Sequence, residues 1–169
     1  KLSGNINKIA TLRNARGGNV PNVVQFAKDC ERFGADGITV HPRPDERHIT
    51  LKDVYDLAPV VKTEFNIEGY PDARFMEIIR SVKPAQATLV PDPPHVITSN
   101  TGWDVTKNKQ LLIDIVQEIQ SYGVRVSLFL NPEIHQVHEA KLTGTNRIEF
   151  YTGPFAEHYA ENKNIAVAP

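Results

Sequence analysis

The chain reads as an α/β protein, a TIM (β/α)8-type barrel of parallel strands with about six βα units in the 169 residues. Three observations predict this. Apolar periodicity switches repeatedly between strand and helix with no low-complexity linker, β-branched runs end abruptly in polar residues, and glycines and prolines punctuate each switch. Regular alternation calls for parallel strands joined by right-handed crossovers, which a barrel and an open doubly wound sheet both satisfy. Polar residues at nearly every strand exit favour the barrel, because a barrel gathers all of them at one mouth. Residues 1–169 are therefore expected to form a single barrel domain, with the last two strand-helix units missing from it.

The elements follow in order. An opening strand is expected around Leu2 to Ile9. Val23, Phe26, Ala27, Cys30 and Phe33 then share one helical face, with Pro21 near the start and Gly34 at the end. Ile38, Thr39 and Val40 form the second strand, and Pro42 and Pro44 stop its ladder just where His41, Arg43, Arg47 and His48 are presented. Thr50 to Asp53 has the spacing of a capping box, with Asp in place of the usual Glu or Gln, and Pro59 should shorten the helix it opens. Phe65 to Gly69 is the third strand. A helix bearing Phe75, Met76, Ile79 and Val82 follows Pro71, and Ala87 to Pro91 is the fourth strand.

The longest loop runs from about Asp92 to Asp104, with Trp103 as a cover for it. Leu111, Leu112, Ile115, Val116 and Ile119 mark an amphipathic helix ended by Gly123 at C′. Val124 to Leu130 is the fifth strand. Asn131-Pro132 is expected to cap a shorter helix, Arg147 to Tyr151 is the sixth strand, and Pro154 opens a helix through Ala160.

Composition narrows the function. A 40% apolar chain of this length buries one sizeable core. Nineteen basic against twenty acidic residues argue against general nucleic-acid or anionic-membrane binding, and no stretch approaches a membrane span. The single Cys30 excludes an intramolecular disulfide framework and fits a cytoplasmic location. No charged-then-apolar leader is present, and because the first residue is Lys1 the natural N-terminus is expected to lie outside these residues. Gly17-Gly18 matches neither glycine-rich nucleotide fingerprint, so ATP and dinucleotides are not indicated. His135 and His138, three apart on a helix, find no partner pair for a metal; His95 and His158 have no context. Neither metal nor organic cofactor is expected.

The strand exits carry Asn5, Asn7, Lys8, Arg13 and Arg16, then His41, Arg43 and His48, then Glu68, Thr98 and Glu149. Lys8, Arg16, Arg43 and His48 point to phosphorylated ligands, since cations and helix N-termini both bind phosphate oxygens. Glu68, flanked by apolar residues, should be buried and its pKa raised; it is a candidate base, as His41 is by its intrinsic pKa. The lesser alternative for Glu68 is a structural pairing with a nearby arginine. Glu149 alternates with Ile148 and Phe150 as an inward barrel residue would, yet it could hold Arg147 or a lysine instead.

The blocks Asn5 to Gly17, Gly34 to His48, Asn66-Ile-Glu68, Leu89-Val-Pro91 and Ile148 to Gly153 resemble, in order and spacing, the pyridoxine 5′-phosphate synthase family across essentially the whole chain. The resemblance implies a TIM barrel that condenses 3-amino-2-oxopropyl phosphate with 1-deoxy-D-xylulose 5-phosphate, releasing phosphate and water as pyridoxine 5′-phosphate forms. It implies acid–base roles for His41 and Glu68, and deoxyxylulose phosphate contacts from Arg43, His48 and Thr98. Asn5 and Arg16 would contact the amino ketone phosphate, and Glu149 would stabilise charged intermediates. It also implies a homo-octamer. Where the commoner pattern has Asn-x-Asp-His, this chain has Asn5-Ile-Asn7-Lys8, a subgroup variant. Asn7 can still hydrogen-bond but cannot act as a base, and Lys8 brings a permanent cation near a phosphate.

A full barrel has eight units and typically about 250 residues. The two missing units would carry the family's late histidine, a proton donor, and its closing Gly-His phosphate site. Competing readings are another phosphosugar barrel, an isomerase or aldolase, or a non-catalytic phosphate-binding barrel. No lysine sits inside the second to sixth expected strands, which weakens a Schiff-base aldolase.

Overall fold

A computed structural model describes residues 1–92 and 101–159. Six strands, β1 (Ser3–Asn5), β2 (Gly37–Val40), β3 (Glu64–Gly69), β4 (Gln86–Leu89), β5 (Arg125–Leu130) and β6 (Arg147–Phe150), lie in the spatial order of the sequence. Every pairing is parallel. Among the described residues seven helices connect or follow them: α1 (Asn7–Arg16), α2 (Val23–Arg32), α3 (Leu51–Leu57), α4 (Ala73–Val82), α5 (Val105–Ser121), α6 (Ile134–Leu142) and α7 (Gly153–Tyr159). Among the described residues the strand order never reverses and shows no switch point of a doubly wound sheet; this is the succession of a partial TIM barrel, with β1 and β6 at the edges of the described sheet.

The registers assign the faces. Because side chains alternate along a strand, pairs such as Asn66↔Gln86 and Thr88↔Ser127 point to one side, and Ile67↔Ala87 and Leu89↔Leu128 to the other. The apolar set, with Ile38, Val40, Val126 and Leu130, is wholly buried against the helices. From the helices come Ala27, Val54, Ile79, Leu112, Val116 and Ile119, also wholly buried. Gly69 lets α4 come close, since a Cβ there would sit 2.3 Å from the Phe75 ring.

Local chemistry sets the helix ends. Thr50 and Asp53 form the expected capping box. Asp72 caps α4 by accepting from Phe75 N at 2.8 Å, and α3 ends at a C-cap, Ala58, just before Pro59. Gly123 follows α5 at φ 81°, the left-handed C′ conformation expected of it. No helix among the described residues is long and apolar enough to cross a membrane.

Several expectations need correction. The opening strand stops at Asn5, and α1 begins at Asn7: Asn5 Oδ1 accepts from Asn7 N at 3.0 Å, turning the chain, and Ile6, Ala10 and Arg13 then share a buried helical face. Phe26 is only partly covered and Phe33 is 79% exposed, because Val23 and Ala27 form the inner stripe of α2 and Phe33 lies past its end. Asn131 does not cap α6, whose N-cap is Glu133; its side chain accepts from Gly102 N at 2.9 Å instead. Trp103 is no loose cover. It is buried, its Nε1 donates to Leu89 O at 3.0 Å, and its ring stacks on Tyr70.

Candidate active site

The inward face of the sheet is polar and arranged in tiers. At the floor, Glu64 accepts hydrogen bonds from Arg125 and Arg147, and Arg147 Nη1 also donates to Gln86 Oε1 at 3.0 Å. Glu149 therefore does not hold Arg147; Glu64 does. Above them, Ser3 and Thr39 hydroxyls lie 2.9 Å apart, Asn66 Nδ2 donates to Thr39 at 3.3 Å, and Thr88 Oγ1 donates to Asn66 Oδ1 at 3.0 Å. At the top, where the strands end, come Asn5, His41, Glu68 and Glu149. A trough of about 360 Å³ runs through these tiers, lined among others by Asn5, Asn66, Glu68, Ser127 and Glu149.

Glu68 and His41 approach to 4.0 Å between Oε2 and Nδ1 and are each 13% exposed. Burial, reinforced by the facing Glu149 carboxylate, pushes Glu68 up to about 8. Burial, with His48 and the Arg43 cation beside it, pushes His41 down to about 3. At neutral pH the pair is thus a carboxylic acid beside a neutral imidazole, not an ion pair. No arginine is paired with Glu68, so its structural alternative is not realised among the described contacts. His41 departs from the near-neutral titration its residue type suggests, because burial disfavours the charged imidazolium and the neighbouring Arg43 cation adds to that penalty. Glu149 sits on the edge strand, and desolvation raises its pKa as well.

The loop after β2 brings Arg43 and His48 to this end. Arg43 is buried, 3.9 Å from Asp45, and the His41 and His48 rings lie 6.0 Å apart. Lys8, exposed at the start of α1, is close enough to depress His48, after burial, Arg43 and Arg47. Asn7 Oδ1 accepts from His41 N at 2.8 Å, so this side chain sets the main chain that carries His41. Arg16 lies exposed in the last turn of α1 and lines none of the cavities described here. Arg13, which sequence order places at the first strand exit, is buried in an ion pair with Asp53 and lines neither the trough nor the cavity beside His41. Thr98 and His95 lie outside the described residues. Among the described residues no group of His, Cys, Asp and Glu could hold a metal ion.

Sequence reasoning missed Asp92 and Arg74. Both line a small cavity with His41, Arg43 and Tyr70; Asp92 is buried with Oδ2 making no hydrogen bond, and Arg74 Nη1 donates to Pro42 O at 2.7 Å. Only the position of Asp92 after Val90-Pro91 at a strand exit could have flagged it.

Comparison with known proteins places this geometry. Residues 2–168 match the family described as pyridoxal phosphate biosynthesis protein PdxJ. Pyridoxine 5′-phosphate synthase of Bacteroides fragilis is 57% identical over 169 residues, all of this chain and 71% of the relative. The proteins of the same name from Parabacteroides distasonis and Porphyromonas gingivalis are each 56% identical, again over 71% of their length. Among solved structures, mandelate oxidase superimposes with a TM-score of 0.63 at 10% identity over 87% of this chain and 50% of its own. D-psicose 3-epimerase gives 0.52 at 12% identity over 76% of this chain and 57% of its own. Those two likenesses speak for the fold alone, whereas the family match spans nearly every residue: the chain belongs to the PdxJ family of pyridoxal phosphate biosynthesis proteins.

Proposed function

We propose that this chain is a pyridoxine 5′-phosphate synthase, a condensing enzyme of vitamin B6 synthesis joining 3-amino-2-oxopropyl phosphate to 1-deoxy-D-xylulose 5-phosphate. The observation that carries the reading is identity of 52 to 57% to relatives of that name over 99 to 100% of this chain. The tiered mouth supports it, because amine attack on a ketone, dehydration and ring closure each move protons.

In this reading the amine nitrogen forms a bond to the ketone carbon, and the protonated Glu68 delivers its proton to the oxygen that leaves as water. His41 accepts protons from the amine and from carbon. Phosphate oxygens on Arg43, His48 and Lys8 offset the cationic part of what holds the imidazole down, which adds to its burial, and its basicity rises as the site fills. Glu149, across from Glu68, stabilises cationic intermediates. Asn5 and Arg16 meet the amino ketone phosphate, and Asn7 acts by holding His41. Thr98 belongs to the deoxyxylulose phosphate contacts. Inorganic phosphate leaves as product. The protein works in the cytoplasm as a homo-octamer, without nucleic-acid or membrane partners, and light scattering on the purified protein tests the assembly.

Incubation with both phosphorylated substrates tests the function. A new pyridine chromophore and stoichiometric phosphate release are expected; binding of either substrate without that chromophore would leave a phosphate-binding barrel instead.

A further inference from the structure

The loop that carries Arg43 and His48 is held along its main chain by side chains from outside it. Arg74 of α4 reaches Pro42 O, and Asn14 of α1 donates through Nδ2 to His48 O at 2.9 Å and Glu46 O at 3.3 Å. Arg13, one helical position earlier, is 8% exposed and makes a two-pronged pair with Asp53, Nη1 to Oδ1 at 2.5 Å and Nη2 to Oδ2 at 2.8 Å. Its Nη2 also donates to His48 O at 3.3 Å, and its Nε and Nη2 donate to Asn14 Oδ1 at 3.1 and 2.9 Å. Arg13 thus orients the side chain that grips the loop as well as gripping it directly.

Asp53 completes the arrangement from the other side. Its Oδ2 accepts from Thr50 N and Thr50 Oγ1, both at 2.8 Å. One buried pair therefore fixes the carbonyl before Ile49 and the amide after it, and Ile49 itself is wholly buried. Ile49 N donates to His48 Nδ1 at 2.9 Å, which leaves Nε2 as the protonated nitrogen of the neutral ring. Within the loop, Glu46 sits at φ 49°, where a non-glycine residue is held only by its surroundings; its Oε1 accepts from Leu51 N at 2.9 Å.

A buried ion pair by itself adds little net stability, because desolvation offsets the attraction. The hydrogen bonds that leave this pair all run to Asn14, to the His48 carbonyl or to Thr50. We propose that Arg13, acting through Asp53 and Asn14, is a positioning residue that sets His48, in its Nε2–H form, for the phosphate of one substrate. This rests on the reading of His48 as a deoxyxylulose phosphate contact.

Steady-state kinetics on Arg13→Gln, Arg13→Lys and Asn14→Ala test it. A mis-set charge-assisted contact is expected to raise KM for the deoxyxylulose phosphate about tenfold. KM for the amino ketone stays within about twofold and kcat within about threefold under the same reasoning. Arg13→Lys keeps the charge but not the planar fork, so it does not rescue. Equal rises in both KM values, or unchanged values with only a lowered melting temperature, overturn the proposal. Long-range 1H–15N spectra give a readout free of turnover: His48 is the Nε2–H tautomer in the parent and a mixture in Asn14→Ala, whose exposed side chain leaves folding intact even where Arg13→Gln does not fold. A parent that makes no pyridine product sinks the functional reading, while the tautomer still decides the positioning role; an unchanged tautomer overturns it.

Discussion

The two faces of the sheet obey opposite rules. The face under the helices is apolar, and Ile38, Ile67, Leu89, Val126 and Leu128 are wholly buried there. The inner face carries Ser3, Thr39, Asn66, Gln86 and Thr88, hydrogen-bonded in tiers, and the buried Ser127, beneath two carboxyl groups and an imidazole. Barrel interiors are ordinarily packed with bulky branched residues. Here the stabilising burial is left to the outer layer, and the inner wall is free to hold groups whose protonation matters.

The largest expected effect tests the inner face at its top tier. His41→Ala and Glu68→Gln should each lower condensation about 10²- to 10⁴-fold, the usual size of a lost acid or base, with unchanged circular dichroism. Near-normal turnover in both would remove the proton-transfer roles. On the outer face, Leu128→Ala should cost about 2–5 kcal/mol in denaturant titrations, because the helices cannot collapse onto the vacated volume.

A smaller and pH-dependent effect separates the faces further. With its folded pKa near 8 against an ordinary 4.5, Glu68 holds a proton that the unfolded chain has released. Its contribution to stability is complete below pH about 4.5 and is lost as pH rises through about 8. His41, with a folded pKa near 3 against 6.5, acts oppositely: its contribution is present above about 6.5 and is lost as pH falls toward 3. The two oppose each other from 4.5 to 6.5, and between 6.5 and 8 only the decline from Glu68 remains. Glu68→Gln should therefore melt higher than the parent at pH 9 and about equally at pH 4, a difference that scanning calorimetry reads directly. The smallest effect comes from the middle tier, where Ser127→Ala should change stability by no more than about 1 kcal/mol. A loss matching that of Leu128→Ala would mean the tiers are a core after all.

Much of this architecture is written in short stretches. Thr50 and Asp53 announce their capping box, Gly123 its C′ conformation, and Pro42 and Pro44 the end of β2 at His41. His41, Glu68 and Glu149 are legible as one group because each stands at a strand exit. The failures share a cause. Arg13 looks like a mouth cation until its partner, 40 residues away, is in place. Asn131 has the makings of a helix cap but is taken by Gly102, 29 residues earlier. The direction of the Glu68 shift follows from its apolar flanks, whereas that of His41 depends on how deeply the fold buries the ring and, after that, on which cations it brings near.

The sequence by itself determined the alternation of strand and helix, the layer that seals the outer face and the identity of the groups at the mouth, because periodicity and capping are properties of neighbours along the chain. Only the tertiary structure decided which side chains share a tier, that Glu68 rather than His41 holds the proton at neutral pH, and that Arg13 serves a loop instead of a ligand. Burial and charge depend on distances through space, and those exist only once the sheet has curled.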